Sequence, residues 1–546
     1  MCQQAQSKFL EAVSKNQDLI IQIANKLCEL GATQEICSYF VGRKTELLLP
    51  MKSRFIAETD YFCAIRFKLC PVKVEEFDIE AFKTKLLEDF PKQEIPQVKA
   101  KPFKALVVGD THVQPNYRVG ADRDCPNKFG CCNANSGFPL DPKKQAGFWG
   151  APGSFCDVPE ILFDKSVKDM KEVAEEMKAD VLIVLGDNPA HDFFQFEGDY
   201  IADVTRYVFE AYRGNFTIPI IPVFGNHECH PVDFFDWDNP ESFVRQKIYP
   251  IYAPMMSESE MKALIDDGFF EREFPEHNIK LLSFNSQISD VFNDYVAKNG
   301  TNPLSSLQKL AKSFYASEKK GQKVIFLTHI PISDPFSSRQ YSKAVQAIFE
   351  RFKETFGGMF SSHTHHDHLK FIKSDKGEFI GINYISPSLT TFASYRPAFR
   401  LYTLLDGIVY DYDQYDLDID EANARAFDGD YSAAFKVHYN FRNEYNLTSL
   451  SPSQYSSLYD TLKDKKSEAF DRYMLHFYTQ HIEDTNYLIN YLNCDLEGDF
   501  ETMEACMIDY DSYNIYTQYS ERLFRFFFES GWYHKVEGKP KGEEMR

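Results

Sequence analysis

Residues 217–230 read TIPIIPVFGNHECH, an apolar, β-branched run followed at once by Gly225, Asn226, His227 and Glu228. The apolar run predicts a buried strand, and a Gly-Asn pair alone would be enough to end it in a turn. A turn needs neither the imidazole nor the carboxylate that come next. We therefore interpret this corner as part of a functional site.

Four more corners have the same form, an apolar strand that ends in polar residues capable of binding a metal. KALVVG precedes Asp110 and His112, DVLIVLG precedes Asp187 with His191 four residues on, KVIFLT precedes His329, and GMFSS precedes His363 and His365. In an open α/β sheet, ligands bind in the crevice at the carboxyl ends of the strands. We therefore expect all five corners to converge.

The strand pattern extends from residue 104 to about 415, with helical stretches such as EILFDKSVKDMKEVAEEMK between short apolar runs. This alternation predicts a layered α/β domain. The runs that predict strands are KALVVG, DVLIVLG, TIPIIPVFG, KLLSFN, KVIFLT, EFIGINYIS, FRLYTLL and IVYDYD.

The spacing within two corners suggests how their side chains converge. In an extended chain alternate side chains point the same way, so Asp110 and His112 would aim at one point, as would His363 and His365. Asp187 is the natural carboxylate to bridge two cations. Taken singly, these residues are more often turn formers or hydrogen-bonded histidines. Together they predict a two-metal site whose oxygen and nitrogen ligands suit Zn²⁺, Mn²⁺ or Fe rather than Ca²⁺.

Composition excludes several classes of function. The 546 residues are too many for one core, so we expect two to four domains. The net charge of −21 argues against a nucleic-acid partner, and against tight docking on an anionic membrane unless charge is lost. No run of 18 apolar residues predicts a membrane-spanning helix, and the first residues, MCQQAQSKFL, do not resemble a secretory signal.

The twelve cysteines nevertheless indicate an oxidising compartment. They cluster at 2–70, at 125–156 and at 494–506, with Cys229 alone. Disulfides suit these clusters, and a zinc-thiolate site is the alternative for the middle one, although it lacks paired C-x₂-C spacing. Sequons at Asn215, Asn299 and Asn446 are compatible with glycosylation. We expect a secreted or lysosomal glycoprotein whose signal peptide is not part of this sequence.

Periodicity and composition divide the chain into four parts. Residues 1–73 show amphipathic helical stripes, 74–103 form a proline-containing linker, 104–420 form the α/β domain, and 421–546 are helical again.

The order GD-x-H, GDN, GNHE, H-x-P and H-x-H resembles the calcineurin-like metallophosphoesterases, and within them the acid sphingomyelinase branch. The segments LGDNPAHD, GNHECHPV and SPSLTTFASYRPAFRLY carry the likeness to that branch. The resemblance implies a four-layer β-sandwich flanked by helices, with a small all-α saposin-like domain at 1–73 and a helical C-terminal domain. Ser362 stands where the family usually has glycine, and Asn188 where close relatives often have an apolar residue.

The resemblance also implies cysteine pairings. It pairs Cys125 with Cys131, Cys132 with Cys156, and Cys494 with Cys506, and it leaves Cys229 free. In the saposin-like domain it pairs Cys28 with Cys37 and Cys2 with Cys63, and it places the partner of Cys70 just ahead of Met1.

For the reaction, the resemblance implies two divalent metals, most simply zinc. Asp110, His112, Asp187 and His365 would hold one, and Asp187, Asn226, His329 and His363 the other. A hydroxide shared by the two metals would attack phosphorus in sphingomyelin, yielding ceramide and phosphocholine. His227 would act as general acid with help from His191, although His191 is equally a residue that only supports the site.

Three alternatives stay open from the sequence. A nucleotide or pyrophosphate phosphodiesterase would use the same metal core, and a lipid-binding protein with a dead site would keep the fold without catalysis. The saposin-like domain is expected to contact a membrane surface, but its apolar face would also suit packing on the catalytic domain. The aromatic tail LFRFFFESGWYHKV is more typical of a core than of a membrane anchor.

Overall fold

The computed structural model describes residues 78–477 apart from 127–128, 294, 297–301, 333, 335, 393 and 451, together with 479, 492–498, 502, 503 and 506. The predicted saposin-like domain, its disulfides and the aromatic tail lie outside the described residues. The domain limits predicted at 73, 103 and 420 stay predictions.

The described strands run in chain order as follows: β1 Phe103–Val108, β2 Val181–Val184, β3 Ile220–Pro222, β4 Phe269–Phe274, β5 Ile279–Phe284, β6 Lys323–Leu327, β7 Phe356–Ser361, β8 His368–Lys373, β9 Phe379–Ile385, β10 Ala398–Leu405, β11 Ile408–Asp416 and β12 Lys436–Asn440. The described α-helices are α1 Ile79–Asp89, α2 Glu160–Met177, α3 Gly198–Asn215, α4 Tyr249–Tyr252, α5 Glu258–Asp267, α6 Ser306–Lys320, α7 Arg339–Arg351, α8 Ile419–Phe427, α9 Phe441–Glu444, α10 Pro452–Lys463 and α11 Glu468–Phe477.

The strands form two six-stranded sheets, ordered β12-β11-β10-β1-β2-β3 and β4-β5-β6-β7-β9-β8. The runs β1-β2-β3 and β5-β6-β7-β9 are parallel. Their connections include α2 and α3 in the first sheet and α6 and α7 in the second, as parallel pairing requires. Every strand expected from an apolar run is present, and the predicted layered α/β fold is confirmed.

Aromatic side chains fill the space between the two sheets. The ring of Phe360 on β7 stacks on that of Tyr402 on β10 with centroids 4.2 Å apart. Tyr384 on β9 meets Tyr402 and Tyr412 edge to face, at 5.8 Å and 6.2 Å. Since rings of this size bury a large apolar area, these contacts hold the inner faces of the two sheets together.

Strands β4, β8 and β12 were not expected from the sequence, because charged residues interrupt their apolar pattern. In β8, HLKFIK, the lysines are accommodated by ion pairs: Lys370 Nζ lies 2.7 Å from Asp495 Oδ1, and Lys373 Nζ lies 3.0 Å from Glu497 Oε2. Strand β12 adds an edge to the first sheet within a segment expected to be helical.

The three disulfides implied for the described part are present and confirm that prediction: Cys125–Cys131, Cys132–Cys156 and Cys494–Cys506. Cys229 is free and buried, also as expected. Residues 91–102 have no regular structure, in agreement with their prolines. Within the described residues, no helix is both long and apolar enough to cross a membrane.

A buried arginine joins the end of β8 to the first sheet. Arg400 on β10 is fully buried, and its guanidinium donates to Asp367, to Gln414 Oε1 at 2.5 Å and to the Ile385 carbonyl at 3.0 Å. The other carboxylate oxygen of Asp367 accepts from the Tyr439 hydroxyl at 2.6 Å. Both charges are therefore compensated by protein groups.

Removing one member of this pair would leave an uncompensated buried charge. We expect Arg400→Met to lower the free energy of unfolding by about 3–5 kcal/mol. Arg425→Met is the matched control, because Arg425 makes an ordinary i,i+4 pair with Glu421 on α8, and we expect a loss below about 1 kcal/mol. Urea unfolding of both variants measures the difference, and equal losses would contradict the role given to Arg400.

Candidate metal centre

All seven residues predicted as metal ligands come together at the carboxyl ends of the parallel strands, where the two sheets meet. Asp110, His112 and His365 form one group, and Asp187, His329 and His363 form another. Within each group the candidate ligand atoms all lie within 4.8 Å of one another.

The first group surrounds a small space between nitrogen and oxygen atoms. His112 Nε2 lies 3.2 Å from His365 Nε2. Asp110 Oδ1 lies 4.0 Å from His112 Nε2 and 3.8 Å from His365 Nε2. These separations are of the size expected between two ligands of one cation with bonds near 2 Å.

The second group includes an amide oxygen. Asn226 Oδ1 lies 3.1 Å from both His329 Nε2 and His363 Nδ1, and those two nitrogens are 3.2 Å apart. Asp187 Oδ2 lies 3.0 Å from His329 Nε2. Asn226, predicted as a ligand from its corner, therefore lies with this group.

Asp187 stands between the groups, as the sequence suggested. Its Oδ2 is 3.7 Å from His112 Nε2 in the first group as well as close to His329 in the second. Burial alone would raise the pKa of Asp187, but its close contact with His329 Nε2 holds it well below its usual range. The carboxylate is therefore ionised and available to both groups.

Backbone carbonyls decide which nitrogen of three of the four ligand imidazoles faces the centre. The Nδ1 atoms of His112, His365 and His329 lie 2.7, 2.9 and 2.8 Å from the carbonyls of Pro189, Phe392 and Leu185. If each Nδ1 carries the donated proton, each Nε2 presents a lone pair.

This arrangement fits bound cations. Burial, with His191 and His227 nearby, lowers the pKa of His112 well below its usual value, so its ring is neutral. Its Nε2 lone pair then faces that of His365 at 3.2 Å. Two facing lone pairs repel unless a positive charge lies between them, so the donor set suits divalent metals.

The backbone at the ligands is not extended. Five of the seven have positive φ: Asp110 at 48°, His112 at 40°, Asp187 at 56°, His363 at 74° and His365 at 62°. The argument that alternate side chains of an extended chain aim the D-x-H and H-x-H pairs was therefore wrong. Left-handed corners aim them instead, and conformations of this cost for non-glycine residues are concentrated at functional sites.

Hydrogen bonds to Glu228 link two of the corners. Its carboxylate accepts hydrogen bonds from the backbone N–H groups of Gly225, Asp187 and Asn188 at 2.8, 3.0 and 2.7 Å, and from Asn188 Nδ2 at 2.8 Å. The oxygens of Glu228 are thus occupied, so it is a supporting residue rather than a ligand. The GNHE sequence drew attention to it without revealing this role.

Ser362, where the related family usually has glycine, contacts a ligand directly. Its hydroxyl donates to Asp110 Oδ2, and the backbone N–H of His363 also lies 3.1 Å from that oxygen. The departure from the family pattern therefore adds a hydrogen bond that orients Asp110 with Oδ1 toward the centre.

His191 and His227, predicted to act on the substrate, lie beside the first group. The ring centroids of His191 and His227 are 4.6 Å apart. The His191 centroid lies 4.2 Å from that of His112, and the His227 centroid lies 4.6 Å from it. The backbone N–H of His227 donates to Asp187 Oδ1 at 2.8 Å, and its Nδ1 is buried with no hydrogen-bond partner among the described residues.

Asp157 is a site residue that sequence analysis missed. Its Oδ1 lies 3.0 Å from His191 Nδ1, and its Oδ2 accepts the His191 backbone N–H at 2.7 Å. The ring of His191 also stacks on Phe392 at 3.8 Å. Asp157 follows Cys156 in a loop without a recognisable motif, so only the fold brings it to His191.

A residue near the end of the described chain supports the loop that carries two ligands. Thr364, between His363 and His365, lies with its Oγ1 2.9 Å from His368 Nε2. His368 Nδ1 in turn lies 2.8 Å from Asp495 Oδ2. Asp495 directly follows Cys494 of the last disulfide, so this crosslinked segment contacts the centre through one histidine.

The chain is similar to known phosphoesterases. Residues 103–367 match the family model of the calcineurin-like phosphoesterases. The chain is 28% identical over 413 residues to sphingomyelin phosphodiesterase B of Dictyostelium discoideum, covering 72% of this chain and 63% of that protein.

Two further relatives show the same range of similarity. The chain is 29% identical over 434 residues to sphingomyelin phosphodiesterase 2 of Caenorhabditis elegans, covering 72% of this chain and 68% of that protein. It is 23% identical over 402 residues to a cyclic GMP-AMP phosphodiesterase of Homo sapiens, covering 68% and 82%.

A methyl group at Gly225 would disrupt this centre. A Cβ there would lie 2.2 Å from Asp187 Oδ1, 2.4 Å from Asp187 N and 2.7 Å from Glu228 Oε2. We expect Gly225→Ala to lose most of its bound metal, measured by elemental analysis after gel filtration. Gly214→Ala is the matched control, because a Cβ at Gly214 in α3 meets nothing within 4 Å. Full metal content in both variants would contradict the crowding argument.

Proposed function

Because residues 103–367 form a calcineurin-like phosphoesterase domain, we propose that this chain is a two-metal phosphodiesterase that hydrolyses sphingomyelin to ceramide and phosphocholine. The observation that carries the proposal is the pair of ligand groups, buried except for the half-buried His363, that share Asp187. The sphingomyelin phosphodiesterases among the relatives support the choice of substrate.

We propose zinc as the metal, held by the two ligand groups described above. Nitrogen and oxygen donors in equal measure suit Zn²⁺. When bound, such a pair of cations activates water and stabilises charge on the phosphate oxygens. The residues around it hold and orient the remaining participants.

We propose that His227 gives a proton to the departing ceramide oxygen. Its backbone is fixed by the hydrogen bond to Asp187, and its ring lies against that of His112. Its Nδ1 finds no hydrogen-bond partner among the described residues, which leaves that nitrogen for a substrate oxygen. A buried polar nitrogen of this kind is unfavourable unless a ligand satisfies it.

His191 is a second candidate for contact with the phosphate or the leaving group. Asp157 engages its Nδ1 and Phe392 covers one face of its ring, so the imidazole has a fixed orientation. With Nδ1 held by Asp157, Nε2 is left for the substrate. We propose that His191 assists His227 rather than replacing it.

A second candidate function is hydrolysis of a nucleotide diester. The human relative that aligns with 68% of this chain is named a cyclic GMP-AMP phosphodiesterase, which supports this second candidate. The two functions differ only in what the space beside the metals accepts.

Substrate assays separate these functions. We expect phosphocholine release from detergent-solubilised sphingomyelin to exceed the hydrolysis of a cyclic dinucleotide, and to stop when 1,10-phenanthroline removes the metal. The reverse preference would favour the nucleotide function. Absence of both activities in a protein that carries two metals per chain would overturn the proposal.

The role of His227 predicts a dependence on the leaving group. We expect His227→Gln to lower turnover of sphingomyelin by about 10²–10⁴-fold with the bound metal unchanged. The loss should be much smaller on a p-nitrophenyl diester, because p-nitrophenolate departs without a proton.

His277→Gln is the control, since His277 lies in the turn Pro275–His277 and contacts the Lys101 and Pro102 carbonyls. If His227→Gln loses metal, or affects both leaving groups equally, His227 is not the general acid.

We also propose a secreted or lysosomal location. The three disulfides of the described part support it, because such bonds persist in oxidising compartments. Membrane contact through the saposin-like segment stays a prediction, since that segment lies outside the described residues.

A further inference from the structure

Exposed large apolar side chains concentrate on one part of the described chain. We call residues 116–156 the disulfide loop, since both of its crosslinks lie within it. Of the ten exposed large hydrophobic residues in the described part, three belong to this loop: Val119, Phe138 and Leu140. Leu140 is 98% exposed and Phe138 62%.

Two more of the ten lie beside the loop. Phe427 and Tyr431 are 93% and 57% exposed. Tyr431 contacts Phe148 of the loop at 4.7 Å between ring centroids, and Asn423 of α8 accepts from the Trp149 N–H at 2.8 Å. Half of these ten residues thus lie in the loop or in the segment that packs against it, whereas single exposed apolar residues elsewhere need no explanation.

The backbone that carries Phe138 and Leu140 is held in place. The Asp122 N–H donates to the Gly137 carbonyl at 2.9 Å, and Gln145 Nε2 donates to the Pro139 carbonyl at 2.8 Å, between the two apolar residues. These side chains are therefore displayed toward solvent by a fixed loop, which lowers the entropy lost on binding.

Both ends of the loop attach at the metal centre. Asn116 Nδ2 donates to Asp192 Oδ2 at 2.9 Å at one end, and Asp157 holds His191 just past the other. Within the loop, Phe155 contacts Phe392, the ring on which His191 stacks. The loop that carries the exposed apolar residues is therefore joined at both ends to the surroundings of His191.

The charge of the loop differs from that of the whole chain. It carries five basic and three acidic residues, a net charge of +2, in a chain whose net charge is −21. Lys143 and Lys144 are exposed three residues beyond the apolar tip. Apolar side chains beside lysines suit an anionic lipid surface, where the apolar groups enter the acyl boundary and the ammonium groups meet phosphates.

We propose that the disulfide loop is a membrane-docking surface, with Phe138 and Leu140 entering an anionic lipid layer and Lys143 and Lys144 contacting its headgroups. The proposal rests on the proposed function, since a lipid substrate is what makes docking useful. The acidic remainder of the chain is repelled by the same surface, which favours an approach through the loop.

Sedimentation with vesicles tests the apolar part of the proposal. Phosphatidylcholine vesicles with 30% phosphatidylserine and 10% sphingomyelin are mixed with the full chain in the presence of chelator, so that no turnover occurs. We expect Phe138→Ser with Leu140→Ser to weaken binding at least about tenfold. The matched control is Leu87→Ser with Leu405→Ser, two exposed apolar residues outside the loop, which should bind like the unchanged chain.

Charge reversal tests the basic part. We expect Lys143→Glu with Lys144→Glu to weaken binding to the anionic vesicles severalfold and to leave binding to pure phosphatidylcholine unchanged. Lys319→Glu with Lys320→Glu, at the end of α6, makes the same change of charge elsewhere and should have little effect. Hydrolysis of bis(p-nitrophenyl) phosphate by each variant reports that the fold and the centre are intact.

The outcomes are distinct. Failure of the unchanged chain to bind vesicles, or equal binding by the loop variants and their controls, overturns the docking proposal. Absence of phosphocholine release from detergent-solubilised sphingomyelin overturns the proposed function instead, because the vesicle assay contains no turnover.

Discussion

The structure depends on one buried carboxylate that serves two groups of ligands. Asp187 is almost fully buried, and such a charge is costly unless positive or polar groups surround it. His329 and His112 approach its Oδ2, and the His227 N–H binds its Oδ1. Both sheets must meet for these contacts to form, since Asp187 follows β2 of one sheet and His329 follows β6 of the other.

Much of this arrangement was visible in the sequence because its signals are local. An apolar run predicts a strand, and a polar corner after it predicts a ligand at the carboxyl edge, so Asp110, Asn226 and His329 were found without a structure. The strands with charged residues were missed, because the partners that make their burial acceptable, such as Asp495 for Lys370 in β8, are distant in sequence.

The backbone conformation that brings the ligands together could not be predicted from the sequence either. The D-x-H and H-x-H spacings suggested extended chain, but Asp110, His112, His363 and His365 all adopt left-handed backbone conformations. Such conformations are unfavourable for these residue types, so they persist only where surrounding contacts impose them. Asp157 was not predicted as a site residue, because its partner His191 is close in space but distant in sequence.

The contact between Asp495 and His368 has a consequence for chain integrity. Thr364, between two metal ligands, contacts His368, and His368 contacts Asp495 beside the Cys494–Cys506 crosslink. Loss of this crosslink would therefore weaken the support of β8 and of the loop that carries His363 and His365. Catalytic activity would then depend on correct disulfide formation in a segment distant from the centre, so incorrectly oxidised protein would be inactive.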